Sequence, residues 1–275
     1  MQCSRPVLAL LAGMALASAA CAAHPAGVPP PAVEHLLQGF ASDSCAHRWQ
    51  AIEEYVDRVI GRRIYWEAEL TARLRERGRS AAPRVQQRVR DVTAFADEFR
   101  ASLERVAKLH GTVYRSSSDR DMWRKSLEPL TKALDDPGTS YLERRLIASS
   151  IAASAKKSSA ARAAGWDQPV LKMLSSDDAI ARLVGSIAAA QGRLLASQAP
   201  TKGRIMPVLL SGLDADSIAA RYDSARALLT INGLEAETIC VDPSDSASDR
   251  AAGVRAWRAW WDDNKADIVG TRLPQ

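Results

Sequence analysis

Leu209-Leu210-Ser211-Gly212-Leu213-Asp214-Ala215-Asp216-Ser217-Ile218 passes from an apolar run into a polar turn, and Arg221 follows eight residues after Leu213. Leu171-Lys172-Met173-Leu174 leads to Asp177 and to Arg182 with the same eight-residue step, 39 residues earlier. Leu36-Leu37-Gln38-Gly39-Phe40 leads to Asp43 and Arg48 in the same way. A looser copy starts at Leu134, with Asp135-Asp136-Pro137-Gly138 inserted and Arg144-Arg145 displaced by two. Self-similarity near forty residues, each unit a short helix, a polar turn and a second helix, predicts stacked helical hairpins. In Ile218–Ile231 the residues Ile218, Ala225, Leu228, Leu229 and Ile231 mark one helical face. Asp216 or Ser217 is placed to cap that helix and Gly233 to end it.

Leu209–Gly233, with its Asp-to-Arg step, resembles the HEAT repeat family. The resemblance extends over Leu127–Gly233 and, more loosely, Val33–Val56. It implies an all-α, curved alpha-solenoid that serves protein partners and carries no chemistry of its own. Asp43/Arg48, Asp177/Arg182 and Asp216/Arg221 are expected to cap helices and tie neighbouring units by hydrogen bonds rather than to bind a ligand.

The array is interrupted. From Cys45 to Arg77 the one helix breaker is Gly61, so the pattern predicts a single helix of about 50 Å. Gly78 stops it, Ser80 is placed to cap the next helix and Pro83 suits that helix's first turn. Val85, Val89, Val92, Ala96, Phe99, Leu103, Val106, His110 and Val113 then alternate in steps of four and three. Trp49, Ile52, Val56 and Val59 begin a matching stripe. Residues 45–113 therefore read as a long antiparallel helical hairpin insertion, packed along the array or projecting from it.

Its tip is basic. Arg73, Arg75, Arg77, Arg79, Arg84, Arg88 and Arg90 face Glu76 alone, in a chain whose formal net charge is +5. A solvated hairpin end tolerates such a cluster; an acidic protein or an anionic surface would exploit it. Nucleic acid is not expected, because no aromatic residue stands in 73–90 to stack a base.

Met1–Ala20 joins Arg5 to the apolar run Val7–Leu16 and to small residues, the pattern of an export signal. Leu16-Ala17-Ser18-Ala19-Ala20-Cys21 resembles a bacterial lipoprotein signal, which would acylate Cys21, although Ser18 replaces the usual leucine. Ordinary cleavage after Ala19 or Ala22 is the alternative. With Ala22 after the cysteine, the resemblance sends the lipidated form to the outer membrane. Residues 21–32, with Pro25, Pro29, Pro30 and Pro31, form a spacer, and 33–275 the helical repeat domain, with repeats at about 127–233. No later stretch is long and apolar enough for a transmembrane helix. The expected address is the periplasm, soluble or anchored.

Of the four cysteines, Cys45 and Cys240 fall within the folded part. Export favours a disulfide. An open stack places them several layers apart, beyond the roughly 7 Å that a bridge spans, so two free thiols are expected.

Catalytic motifs are missing: no phosphate loop, no nucleophile elbow and no His-Glu-x-x-His. His24, His35, His47 and His110 lack metal-ligand spacing, and no metal or cofactor is expected. Trp257, Trp260 and Trp261 share a face of a last helix at about 249–264, as a cap over the final repeat or as a platform for a sugar or peptide. The leading reading is a non-enzymatic protein-binding scaffold of the bacterial cell envelope; the alternative is a peptidoglycan- or other carbohydrate-binding envelope protein.

Overall fold

The computed structural model describes residues 30–60, 64–109, 120–191, 201–235 and 238–270, and within them every regular element is a helix. The export signal, Cys21, His24, most of the proline-rich spacer, His110 and Val113 lie outside the described residues. In chain order the helices are α1 (Pro30–Ala41), α2 (Cys45–Ile60), α3 (Ile64–Gly78), α4 (Pro83–Leu109), α5 (Arg120–Asp135) and α6 (Tyr141–Lys157). They continue with α7 (Ser159–Ala163), α8 (Gln168–Leu174), α9 (Ala179–Ala190), α10 (Lys202–Gly212), α11 (Ile218–Asn232) and α12 (Ala247–Ile268).

The forty-residue copies become helix pairs: α1/α2, α5/α6, α8/α9 and α10/α11, each packed internally. The second helices α6, α9 and α11 pack on one another in that order. Gly233, with φ +63°, ends α11 in the left-handed region that favours glycine. The caps differ in detail from expectation. Asp178 rather than Asp177 caps α9, accepting from the Ile180 N–H at 2.8 Å, whereas Ser217 stands at the start of α11 without a side-chain cap bond. Ser80 donates to the Arg77 carbonyl and so closes α3 instead of opening α4.

The register of the copies shows in their packing. A methyl built on Gly39 would lie 2.5 Å from the Ala51 Cβ, and one on Gly212 would lie 2.1 Å from the Ser224 Oγ. These are the same position of two units, a first helix approaching the small residue three places after Arg48 or Arg221. In the α8/α9 pair the volumes are exchanged: Met173 takes the first-helix position, and a methyl on Gly185, three after Arg182, would lie 3.1 Å from its Cβ. A large residue is met by the smallest one, which keeps the helices close.

The long helix expected over Cys45–Arg77 is instead two helices, α2 and α3, that pack on each other and on α4. Gly61 falls between them. α3 and α4 form the antiparallel hairpin, with Gly78 against Val89. The stripe Val85, Val89, Val92, Ala96, Phe99 and Val106 is buried as expected, but so are Arg88, Thr93, Phe95 and Ser102. A two-helix seam is too narrow to bury that many positions. α4 meets α1, α2 and α3 and also lies on α6 and α11, so it is a central helix and does not project.

That placement brings the N-terminal pair to the far end of the array. Trp49 of α2 stacks on Tyr222 of α11 at 5.3 Å, and Phe95 of α4 meets the same ring at 5.8 Å. The expectation of two free thiols fails here: Cys45 and Cys240 are bridged, with Cα atoms 6.0 Å apart across 195 residues. It had assumed that units adjacent in sequence stack in sequence order. α4 breaks that order.

Candidate functional site

Beneath the disulfide lies the most charged part of the interior. Asp242 and Asp245, with 1% and 8% exposure, belong to the segment between α11 and α12 and reach Arg48 of α2 and Arg88 of α4. Arg48 donates from Nε to Asp242 at 2.7 Å and from Nη2 to Asp245 at 3.0 Å. Its Nη1 ties the Ser42 and Asp43 carbonyls. Arg88 donates to Asp245 at 2.6 Å and to the Phe40 carbonyl at 3.0 Å. Ser244 completes the Asp242 shell through its N–H and its hydroxyl. Burial by itself would lower the affinity of Arg48 for its proton; Asp242 and Asp245 outweigh that and hold it above the ordinary value. Two cations face two carboxylates, each with hydrogen bonds, which is the arrangement a buried charge requires. All four side chains are buried. It is a clasp.

The Asp-to-Arg pairs work as links, through the backbone. Arg182 donates to the Ser176 carbonyl, and Arg221 to the Ala215 and Asp216 carbonyls. Each fixes the turn before its own helix. Arg144 donates to the Asp136 carbonyl and reaches Asp178 of the next pair at 3.2 Å; Arg221 reaches the Pro243 carbonyl. Arg250 donates to the carbonyl of Asp245, five residues back. Asp245/Arg250 therefore repeats the step of Asp43/Arg48, and Gly253 stands three beyond it, where a methyl would lie 2.2 Å from the Cys240 carbonyl. This further copy of Asp, Arg and a small residue was readable in the chain and marks the start of α12, including the clasp residue Asp245.

The basic cluster separates into committed and uncommitted side chains. Arg88 is 4% exposed and belongs to the clasp, which removes it from any partner surface. Arg84 is exposed and reaches Asp249 at 3.1 Å. Arg73 pairs with Glu69, Arg75 with Asp97, and Arg77 with Glu34 at 3.7 Å. Arg79 and Arg90 form no ion pair among the described residues; Arg90 donates to Gln87.

Trp257 is fully buried and meets Trp260 edge to face at 5.7 Å; Trp260 and Trp261 are partly buried against the core. α12 packs on α10, and burial withholds Trp257 from any stacking ligand.

The side of α6 and α11 turned toward α4 is filled. Arg145 pairs with Asp223 at 2.7 Å, Tyr141 donates to Asp223 at 3.0 Å, and Arg145 lies over the Phe99 ring at 5.7 Å. Tyr141 is pushed well up by burial and by the Asp223 charge, so it stays a phenol. Glu53, raised chiefly by burial, faces Arg226 at 3.8 Å between α2 and α11.

A groove of about 230 Å³ lies open between α5/α6 and α8/α9. Leu134, Pro137, Pro169, Met173 and Ala181 give it an apolar wall, and Asp135, Arg144, Lys172 and Asp178 give it charge. Ile180, 49% exposed, lies in sequence between the lining residues Asp178 and Ala181. Of the histidines, His35 contacts Glu54 at 3.2 Å and His47 contacts Ser42. Among the described residues no three His, Cys, Asp or Glu side chains are grouped to hold a metal ion, and no helix is long and apolar enough to cross a membrane.

Comparison with family models, curated proteins and solved structures gives no match.

Proposed function

We propose that this chain is a non-enzymatic helical-repeat scaffold of the bacterial cell envelope, of HEAT-like build, that binds a protein partner along the turn edge between α5/α6 and α8/α9. The open groove there carries the reading. Its apolar wall and charged rim suit a short protein segment, and Ile180, between two lining residues in sequence, is an exposed apolar side chain. α4 lies on α6 and α11, and Trp49 of α2 on Tyr222 of α11, so that part of the inner side which an open solenoid would offer is taken. The partner is therefore assigned to the outer edge.

Residence in the periplasm, free or anchored through Cys21, is part of the same proposal. The Cys45–Cys240 bridge supports it, since such bonds persist in oxidising compartments.

A photoreactive residue in place of Ile180, introduced in the native cell, tests the function. The expected result is one discrete protein adduct, lost when Lys172 and Ala181 of the groove are both changed to Glu. An adduct that survives those changes, or none, overturns the groove as the partner site.

A further inference from the structure

The arginines of the hairpin tip are unequal, and the inequality has a location. Five of the seven touch a carboxylate: Arg73, Arg75, Arg77, Arg84 and Arg88. The two that do not, Arg79 and Arg90, line the same depression of about 410 Å³, together with Arg75, Gly78, Gln86, Val89 and Thr93. The first comes from the turn after α3 and the second from the second turn of α4, so the hairpin itself brings them to one place. No carboxylate is among these lining residues. Arg75 is neutralised by Asp97, which leaves two uncompensated positive charges at the depression.

The turn is held in shape from within. Gln86 donates to the Arg79 carbonyl at 3.1 Å and to the Ala81 carbonyl at 2.8 Å, and Ser80 donates to the Arg77 carbonyl at 2.9 Å. Arg75 donates from Nε to Thr93 at 3.0 Å, which fixes it against the wall of α4. Arg79 sits on an ordered backbone, so ordering it on binding costs its own side-chain freedom and not that of the loop.

We propose that this depression binds a phosphate group. Guanidinium forks match tetrahedral oxyanions, and two uncompensated forks match the charge of a phosphate dianion or of two neighbouring diesters. A mere solvated basic end would show no such sorting, since there the arginines without a carboxylate would be scattered over the tip. The volume exceeds what a bare phosphate fills, leaving room for the group that carries it. The site is independent of the groove at α8/α9 and stands or falls separately from the partner proposed there.

Two sources of phosphate are open to an exported protein, a soluble phosphate ester and a lipid headgroup, and the test separates them. The full mature chain, its disulfide intact, is titrated with inorganic phosphate and with glycerol phosphate at constant ionic strength. It is also sedimented with phosphatidylcholine vesicles, with and without phosphatidylglycerol. The Arg79→Gln/Arg90→Gln variant is compared with Arg73→Gln, which changes charge on the same hairpin outside the depression. Circular dichroism and melting check that both retain the fold.

The expected result is binding of at least one phosphate source. It weakens about tenfold or more in the double variant, the worth of one charge-assisted hydrogen bond or more, and about twofold or less in Arg73→Gln. Binding of the soluble esters assigns a soluble source. Binding confined to phosphatidylglycerol vesicles assigns the lipid. Equal weakening in both variants means diffuse attraction and overturns the site, as does failure of every probe to bind. Dependence on Arg79 and Arg90 seen only with an acidic protein overturns the phosphate assignment.

Discussion

Arg48 donates to Asp242 across 194 residues of chain, at 2.7 Å, with both side chains nearly dry. Their contact, with Arg88 and Asp245 beside it, joins the first helix pair to the segment that precedes the last helix. Removing one member leaves an opposite charge buried without its partner, which costs far more than the intact pair contributes. Asp242→Ala is expected to lower unfolding stability by about 3–5 kcal/mol. Urea unfolding with the disulfide intact measures it. A loss under 1 kcal/mol would mean that water reaches the clasp.

The disulfide closes nearly the whole folded chain. Its loop of 195 residues places it at the upper part of the usual range for a native bridge, about 2–5 kcal/mol. Cys45→Ser/Cys240→Ser is expected to lose that amount yet keep helical circular dichroism, because the clasp remains. Peptide mapping of the unreduced protein must show the Cys45–Cys240 peptide. Finding both cysteines alkylated before reduction would refute the closed arrangement.

Acid should weaken the α6 start in a defined way. Burial alone would raise the Glu143 carboxyl, but the Ser140 N–H and Arg105 outweigh it, so it titrates below the ordinary carboxylate value of 4.5. A group depressed in the folded state stabilises above its unfolded pKa and loses that contribution as pH falls through the folded one. Glu143→Gln keeps an oxygen for the Ser140 N–H and loses the charge, so it should cost less than a whole cap, under about 1 kcal/mol at neutral pH. The half-exposed Arg105 adds little. The difference between the two proteins should shrink below about pH 4. Melting curves across that range check it; a gap independent of pH would remove the carboxylate from the explanation.

The helix pairs were legible because their signal is local: apolar period, polar turn, capping residues and the arginine five places later. The closure was not, and for a physical reason. It depends on the second buried side of α4, where Arg88, Thr93 and Ser102 are polar and Phe95 falls off the apolar stripe, so periodicity shows one buried face and conceals the other. Arg88 reads as one of seven tip arginines until Asp245, 157 residues away, is placed against it. The uncommitted pair Arg79 and Arg90 was likewise invisible, since which arginines are neutralised is decided by Glu34, Asp97 and Asp249 on other elements. Asp245/Arg250/Gly253 could have been found. Its step matches the other units, but the intervening Asp242-Pro243-Ser244 turn looks like a linker.

Two glycines at close helix contacts, one on each side of the packing step, should respond differently to one added methyl. In α10, Gly212 meets the Ser224 Oγ at 2.1 Å, and in α12, Gly253 meets the Cys240 carbonyl at 2.2 Å. A serine hydroxyl can turn aside, although Leu183 at 2.8 Å crowds the same methyl. The carbonyl of Cys240 is backbone, and its residue is fixed by the bridge to Cys45. Inside α12 alanine gains about 1 kcal/mol over glycine from propensity alone, less at Gly212, the last residue of α10, and overpacking costs about 1–3 kcal/mol. Gly212→Ala is therefore expected to be within about 1 kcal/mol of the parent protein, and Gly253→Ala to lose about 2 kcal/mol or more. Urea unfolding of both variants decides between this and a packing in which α12 shifts freely. If α12 can move, Gly253→Ala will be as mild as Gly212→Ala. If instead the bridge is what holds it, placing Gly253→Ala in the Cys45→Ser/Cys240→Ser background will recover most of the loss.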